Sequence, residues 1–234
     1  MSHDDHRSDD YWKKALPRSL VIKMLRREQK RLYDRFAATF PPCQDWRVLD
    51  VGTNGSMTEA RDYFLHYHYP YPERITAAGL EPPDTFRRVF PGCEYVQVRR
   101  GQPLPFADQS FDLVFSNAVI EHVGSRTDQQ AFVLELARVG KRAFMTTPNR
   151  WHPIEFHTAT PLIHYLPTPA YRRIYRALGF DFFSREENLN LLDDSTLRSL
   201  LPASVRGRTE IAAHRFLGIR SHLLLTLRDT AGPQ

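Results

Sequence analysis

Two hydrophobic rhythms share this chain. Short apolar runs recur between stretches of helical spacing. Val48, Leu49 and Val51 form the first run, and a strand covered on both faces need not alternate polar with apolar residues. Ile75-Thr76-Ala77-Ala78-Gly79-Leu80-Glu81 gives a second strand, and Phe111 to Phe115 a further one. Arg142-Ala143-Phe144-Met145-Thr146-Thr147 reads as the fifth strand, stopped by Pro148-Asn149. Met57 to Phe64 reads as a helix between the first two strands. Asp128 to Val139 reads as another, with Phe132, Val133, Leu136 and Ala137 on one face. Near the end, Ser195 to Leu201 is a short helix with Asp194 as its N-cap. Two closely spaced strands follow, near 209–214 and 219–227, and alternating Leu223, Leu225 and Leu227 suit an edge region of the sheet. Strands that alternate with helices predict an α/β fold, a doubly wound sheet of seven mostly parallel strands with the last one antiparallel.

The first turn after a strand carries the first candidate chemistry. In Arg47-Val48-Leu49-Asp50-Val51-Gly52-Thr53-Asn54-Gly55, an acid interrupts the apolar run and a small-residue turn follows. Ligands of doubly wound sheets bind beyond the carboxyl ends of the strands. Gly52 and Gly55 tolerate positive φ and admit a ligand to the backbone, and Asn54 is the other residue type suited to the left-handed region. Such turns also occur for geometry alone. Glu81, at the end of the second run, is placed to accept hydrogen bonds from ribose hydroxyls.

A longer motif, from Leu104 to Val123, reads LPFADQSFDLVFSNAVIEHV. A surface turn over Ala107 to Ser110 enters a buried strand, small polar residues close it, and Glu121-His122 follow. With this motif the sequence resembles a class I S-adenosylmethionine-dependent methyltransferase over roughly residues 45–150, through the pattern LPF-x-D-x-SFD-x-V. The resemblance implies a Rossmann-like methyltransferase fold, with N-terminal helices and a cap insertion, and S-adenosylmethionine as cofactor. It places Asp50, Gly52, Thr53, Asn54 and Gly55 around the methionine part and Glu81 at the ribose. It places Gly101 and Gln102 at the adenine, and Ser116 and Asn117 near the sulfonium. The chain departs from the family's Gly-x-Gly, having Asn54 at the second glycine and Gly55 one place later. Asp50 and Glu81 are also further apart than the ~20 residues usual in a first βαβ unit. Tyr63 to Pro72, rich in aromatics, reads as an extended loop that fills the excess.

Composition fits an enzyme with one sizeable core. The chain has 234 residues, 41% of them apolar, and no apolar run of membrane-spanning length. Cys43 and Cys93 lack metal-type spacing and read as thiols of a reducing cytoplasm. Charge is uneven. Residues 1–10 hold four Asp and one Arg, unlike a secretory signal. Residues 11–40 hold nine Lys or Arg against two acids, a net of 9 − 2 = +7, above the +5 of the whole chain. From residue 19 to 40 the pattern is a basic amphipathic helix, with Leu20, Val21, Met24, Leu25, Leu32, Tyr33 and Phe36 on its apolar face. Such a helix can lie on an anionic membrane, at the inner face, or on a nucleic acid, or dock on the sheet and keep a solvated basic face. Docking is the favoured reading. The organisation is thus a tail and basic helix over 1–40 and a catalytic domain over 41–234.

Residues 150–193 exceed an ordinary strand-to-helix connection. TPNRWHPIEFHT and then HYLP precede a helix from Pro169 to Leu178. These words resemble a subset of the family associated with bacterial glycolipid or surface-polysaccharide pathways. The insertion reads as a cap over the methyl acceptor, a small molecule, sugar or glycolipid. Methyl transfer from a sulfonium needs nucleophile, carbon and sulfur in line, and a hydroxyl acceptor needs a proton acceptor. His122, Glu155 and His157 are the candidates, with His164 beside them; structural hydrogen bonds are the competing role for each. A metal site from His152, Glu155, His157 and His164 is disfavoured, since no helical i, i+4 pair is present, and no metal is expected. A nicotinamide-dependent oxidoreductase is disfavoured because Gly-x-Gly-x-x-Gly is missing. A non-catalytic binding protein of the same fold is a further alternative. Thr147-Pro148-Asn149 does not match the Asn-Pro-Pro-aromatic motif of base methylation, so a nucleic-acid acceptor is disfavoured.

Overall fold

The computed structural model describes residues 18–58 and 63–229, with side chains of the first helix described from residue 26 onward. The acidic tail and the first part of the basic segment lie outside the described residues. Helix α1 spans Arg18–Thr39, followed by β1 at Val48–Val51, helix α2 at Phe64–His68 and β2 at Ile75–Gly79. Helix α3 at Asp84–Val89 leads to β3 at Glu94–Gln97 and β4 at Leu113–Asn117. Helix α4 at Arg126–Val139 leads to β5 at Ala143–Pro148. Helix α5 (Thr168–Ala177), helices α6 (Asp194–Ser199) and α7 (Ala203–Arg206), and strands β6 (Thr209–Phe216) and β7 (Ile219–Leu227) complete the order.

The seven strands form one sheet in the order β3-β2-β1-β4-β5-β7-β6. Strands β1 to β5 pair in parallel, and β7 runs antiparallel to both β5 and β6. The expected sheet is therefore present. Its strand order reverses between β1 and β4, which makes the carboxyl ends of those two strands the place for a ligand. The apolar runs are continuous because both faces are covered. Leu49, Val51 and Val114 pack with Leu136 and Val139 of α4 on one face. Val48, Leu113 and Phe115 pack with Phe36 of α1 and Leu65 of α2 on the other.

Several elements differ from the sequence reading. Leu223, Leu225 and Leu227 lie on β7, beside the edge strand β6 as expected, but the strand is covered on both faces. They fill one face while Leu224 fills the other. Met57 and Thr58 are not helical, and residues 59–62 lie outside the described residues. The helix comes later, within the expected aromatic loop. One turn from Leu65 to Tyr69 lets both side chains enter the core, and that burial outweighs the loop-like composition. Helix α4 begins two residues early because Ser125 and Asp128 form a reciprocal capping box. Helix α6 likewise begins at Asp194, and Asp193 caps it by accepting from the Thr196 amide at 2.8 Å.

Helix α1 docks on the sheet. Leu32, Tyr33, Phe36 and Phe40 are buried. The Phe36 ring meets Phe115 and Phe144 edge-on, at centroid distances of 5.1 and 5.3 Å. Glu28 reaches His214 of β6 at 3.2 Å. Truncating Phe36 leaves a cavity at the centre of this face. Phe36→Ala should therefore cost about 3–5 kcal/mol, read as a lowered midpoint in denaturant unfolding. A loss below about 1 kcal/mol would mean that the helix is not part of the domain core.

Candidate active site

The turn after β1 is held closely against the end of β2. The amides of Gly52 and Thr53 both donate to the Ala78 carbonyl, at 2.8 and 3.1 Å. Gly52 has φ +93°, and a Cβ there would meet the Val119 side chain at 2.2 Å. Glycine is thus required twice, by conformation and by the approach of the segment after β4. The expectations for the next residues are corrected. Neither Asn54 nor Gly55 has positive φ. Instead the Asn54 side-chain oxygen Oδ1 accepts from the Ser56 amide at 2.9 Å and hydroxyl at 2.6 Å, an Asx turn that needs no left-handed backbone. Gly55 is needed for space, since a Cβ would lie 2.6 Å from the Pro82 carbonyl oxygen and 2.8 Å from the Tyr95 hydroxyl.

Asp50 is buried, with the His66 ring 3.5 Å from its carboxylate. That separation is too long for a normal hydrogen bond. Glu81 is held by its backbone, its carbonyl accepting from Tyr95 Oη at 3.0 Å. Its carboxylate makes no hydrogen bond or ion pair to other described residues. Gly101, with φ +73°, and Gln102 form an exposed turn past β3. Ser116 is fully buried in β4, and its hydroxyl has no hydrogen-bond partner among the described residues. Asn117 accepts from Thr146 Oγ1 at 2.7 Å.

Beyond β4 the chain reverses at Ala118, which takes φ +54° despite its side chain. A 3₁₀ turn over Ile120–His122 then presents Glu121 and His122. Glu121 is fully buried. Its Oε2 accepts from Thr147 Oγ1 of β5 at 2.9 Å, and its Oε1 has no hydrogen-bond partner among the described residues. The segment 188–192 clamps this turn. Asn190 donates its amide to the Glu121 carbonyl at 2.7 Å, and Gln129 bridges the Ile120 and Asn190 carbonyls. His122 Nδ1 lies 2.6 Å from the Asn188 carbonyl oxygen. A carbonyl only accepts, so Nδ1 carries the proton and Nε2 the lone pair. Burial lowers the His122 pKa and keeps its ring neutral.

The segment 150–193 brings its ionisable groups to the same place. The His157 and His122 rings meet edge to face with centroids 4.7 Å apart. His157 Nε2 lies 4.0 Å from Glu121 Oε1. Its Nδ1 lies 2.6 Å from Glu155 Oε1. Glu155 is almost completely buried, and burial alone would raise its pKa. The His157 ring and amide, with the amide and hydroxyl of Thr158, outweigh that and hold the carboxyl at about 2. Glu155 therefore orients His157 and is a poor base near neutrality. His164 and His152 are used elsewhere: His164 Nε2 donates to the His152 carbonyl at 2.8 Å, and His152 Nδ1 sits 2.8 Å from the Ile154 carbonyl. The group of His152, Glu155, His157 and His164 is thus not gathered into one ligand set. Sequence reasoning passed over Glu121 as a functional side chain, because its burial and its bond to Thr147 are tertiary.

Residues 49–143 match the family model described as a methyltransferase domain. No curated protein matches the chain. Among solved structures, an S-adenosylmethionine-dependent methyltransferase from Mesorhizobium loti is 15% identical, with a TM-score of 0.51, over 84% of this chain and 96% of that one. A Rhodobacter sphaeroides protein, provisionally described as a zinc-dependent alcohol dehydrogenase, is 13% identical with a TM-score of 0.59, over 86% and 90% of the two chains. A structure of the Haloferax volcanii Trm112 methyltransferase activator with a provisionally assigned methyltransferase is 12% identical with a TM-score of 0.54, over 98% of each chain. At these identities the likeness is one of fold. By this domain match and the fold around it, the chain resembles the class I S-adenosylmethionine-dependent methyltransferases. It is an enzyme, and S-adenosylmethionine is its cofactor. The glycine turn, the unengaged Glu81 carboxylate and the orphaned Ser116 hydroxyl fit that group. No helix among the described residues is long and apolar enough to cross a membrane.

The buried Glu155 gives a pH signature. Its folded pKa is depressed to about 2 from 4.5. Its stabilisation is present above about pH 4.5 and is lost as pH falls towards 2. Glu155→Gln should be less stable by roughly 3 kcal/mol at neutral pH, with the gap from the parent protein closing between pH 4.5 and 2. Denaturant unfolding across that range checks it, and a gap of equal size at pH 3 and 7 would refute it.

Proposed function

We propose that the chain transfers the methyl group of S-adenosylmethionine to a hydroxyl of a small-molecule, sugar or glycolipid acceptor under the 150–193 segment. The observation that carries this reading is the meeting of Glu121, His122 and His157 beside the turn that Gly52 forms. The bound sulfonium supplies an electrophilic methyl carbon. Asp50, Gly52, Thr53, Asn54 and Gly55 surround its methionine part in this reading. Glu81 accepts from the ribose hydroxyls, Gly101 and Gln102 border the adenine, and Ser116 and Asn117 lie near the sulfur. The chain's task is then to hold an acceptor oxygen in line and to remove its proton. In this reading the Nε2 lone pair of His157 or His122 takes that proton, and Glu155 fixes the ring of His157.

An apolar part of the acceptor has a place to rest. Trp151, Leu162, Tyr165 and Leu166 are exposed on the capping segment, and the Trp151 and Tyr165 rings are 5.3 Å apart. Exposed apolar groups in one segment suit a lipid-linked acceptor. The basic face of α1, with exposed Arg26, Arg27, Lys30 and Arg31, would suit an anionic bilayer carrying it.

Incubating an extract with the protein and S-adenosylmethionine labelled in its methyl group tests the reading. Label in an O-methyl group of a sugar or glycolipid supports it; label only on nitrogen, carbon or nucleic acid contradicts it. Two variants locate the roles. Glu81→Ala should lose about 1.5–3 kcal/mol of cofactor affinity by calorimetry, and unchanged affinity in the folded variant would remove the ribose assignment. His157→Ala should lower turnover by roughly 10²–10⁴-fold while cofactor affinity stays put. If turnover at saturation survives and only acceptor affinity and thermal stability fall, His157 merely fastens the cap.

A further inference from the structure

We propose that Glu121, His122 and His157 form a binding site for a divalent first-row transition cation, with zinc or cobalt taken in preference to magnesium. One ligand atom from each of the three residues lies within 4.8 Å of the others. Metal bonds of about 2.0–2.2 Å need the donors closer than that, so a bound cation would draw the three side chains together. The second observation is the carboxylate itself. Glu121 is 0% exposed and its Oε1 has no hydrogen-bond partner among the described residues, while Oε2 is held by Thr147. A buried carboxylate oxygen left without a donor is costly, and a cation removes that cost.

Both imidazoles are set up as ligands. His122 Nδ1 donates to the Asn188 carbonyl and His157 Nδ1 to Glu155, at 2.6 Å each. Each bond fixes the tautomer and directs the Nε2 lone pair elsewhere, which is how proteins orient metal-ligating histidines. His157 Nε2 faces Glu121 Oε1 at 4.0 Å. Two imidazoles and one carboxylate match borderline transition cations better than magnesium or calcium, which favour all-oxygen shells. Three protein ligands also leave coordination positions open for an acceptor oxygen.

The consequence for catalysis rests on the oxygen-acceptor reading above. A hydroxyl on the cation would lose its proton to solvent at lower pH. The oxygen–methyl bond then forms as the sulfur–methyl bond breaks, and no oxidant or reductant enters. The imidazoles would hold the cation instead of taking the proton.

The test uses the full chain, stripped with a chelator and titrated calorimetrically with Zn²⁺, Co²⁺ and Mg²⁺. One-to-one binding of Zn²⁺ and Co²⁺ is expected, with Mg²⁺ much weaker. Bound Co²⁺ should show visible d–d bands without the thiolate charge-transfer band that Cys43 or Cys93 would give. Glu121→Gln keeps the side-chain shape and an acceptor for Thr147, and should weaken Zn²⁺ at least about tenfold. His157→Ala should do the same. Circular dichroism of the stripped variants establishes that they are folded. The proposal is overturned if the parent protein binds neither Zn²⁺ nor Co²⁺, or if folded Glu121→Gln binds them as well as the parent does. Methyl transfer by a protein that binds no cation would sink the metal site and leave the transferase reading intact. Cation binding without transfer to oxygen would do the reverse.

Discussion

Two carboxylates, Glu121 and Glu155, are buried within a few ångströms of one histidine, and the arrangement of the site follows from how each is accommodated. A buried ionised carboxylate is tolerated only with donors around it. Glu155 has them: the ring and amide of His157 and the amide and hydroxyl of Thr158. That network folds residues 155–160 into a tight turn and fixes the plane of His157. Glu121 has a donor on one oxygen only. The asymmetry divides their roles. Glu155 is satisfied and structural, while Glu121 presents an unmet acceptor to whatever occupies the space between it and the imidazoles.

The same logic explains the clamp formed by residues 188–192. Its carbonyls and amides meet Gln129, Arg126 and the turn over Ile120–His122. These bonds tie the end of the capping segment to the sheet's switch point. Val119 packs on Gly52 in the same region. The turn after β1 and the cluster after β4 are thus mechanically joined. A change in either should be felt by the other, since packed groups at such contacts do not deform freely.

Much of the frame was legible in the sequence. Apolar runs ending in Asp50 or in Ser116-Asn117 marked the parallel strands, because a doubly covered sheet imposes that pattern. The LPF-x-D-x-SFD motif placed the fourth strand to within two residues. What escaped was tertiary. Helix α2 forms because Leu65 and Tyr69 share one buried side, which loop-like composition conceals. The double burial of β7 is not legible, because period-two leucines look alike on covered and half-covered strands. Asn54 was assigned a left-handed backbone, but Ser56 supplies a local hydrogen-bonded alternative. His122 and His157 were singled out by type and place. Glu121 became visible only through its burial and its partner Thr147, twenty-six positions away.

The central claim is that cofactor and acceptor meet across the carboxyl ends of β1 and β4. A crystal structure of the protein with S-adenosylhomocysteine tests it most directly. The account predicts ribose hydroxyls at the Glu81 carboxylate, the amino-acid part along Gly52 to Gly55, and the sulfur turned towards Glu121, His122 and His157. Product bound at another edge of the sheet, or bound here with its sulfur turned away from that cluster, would contradict it.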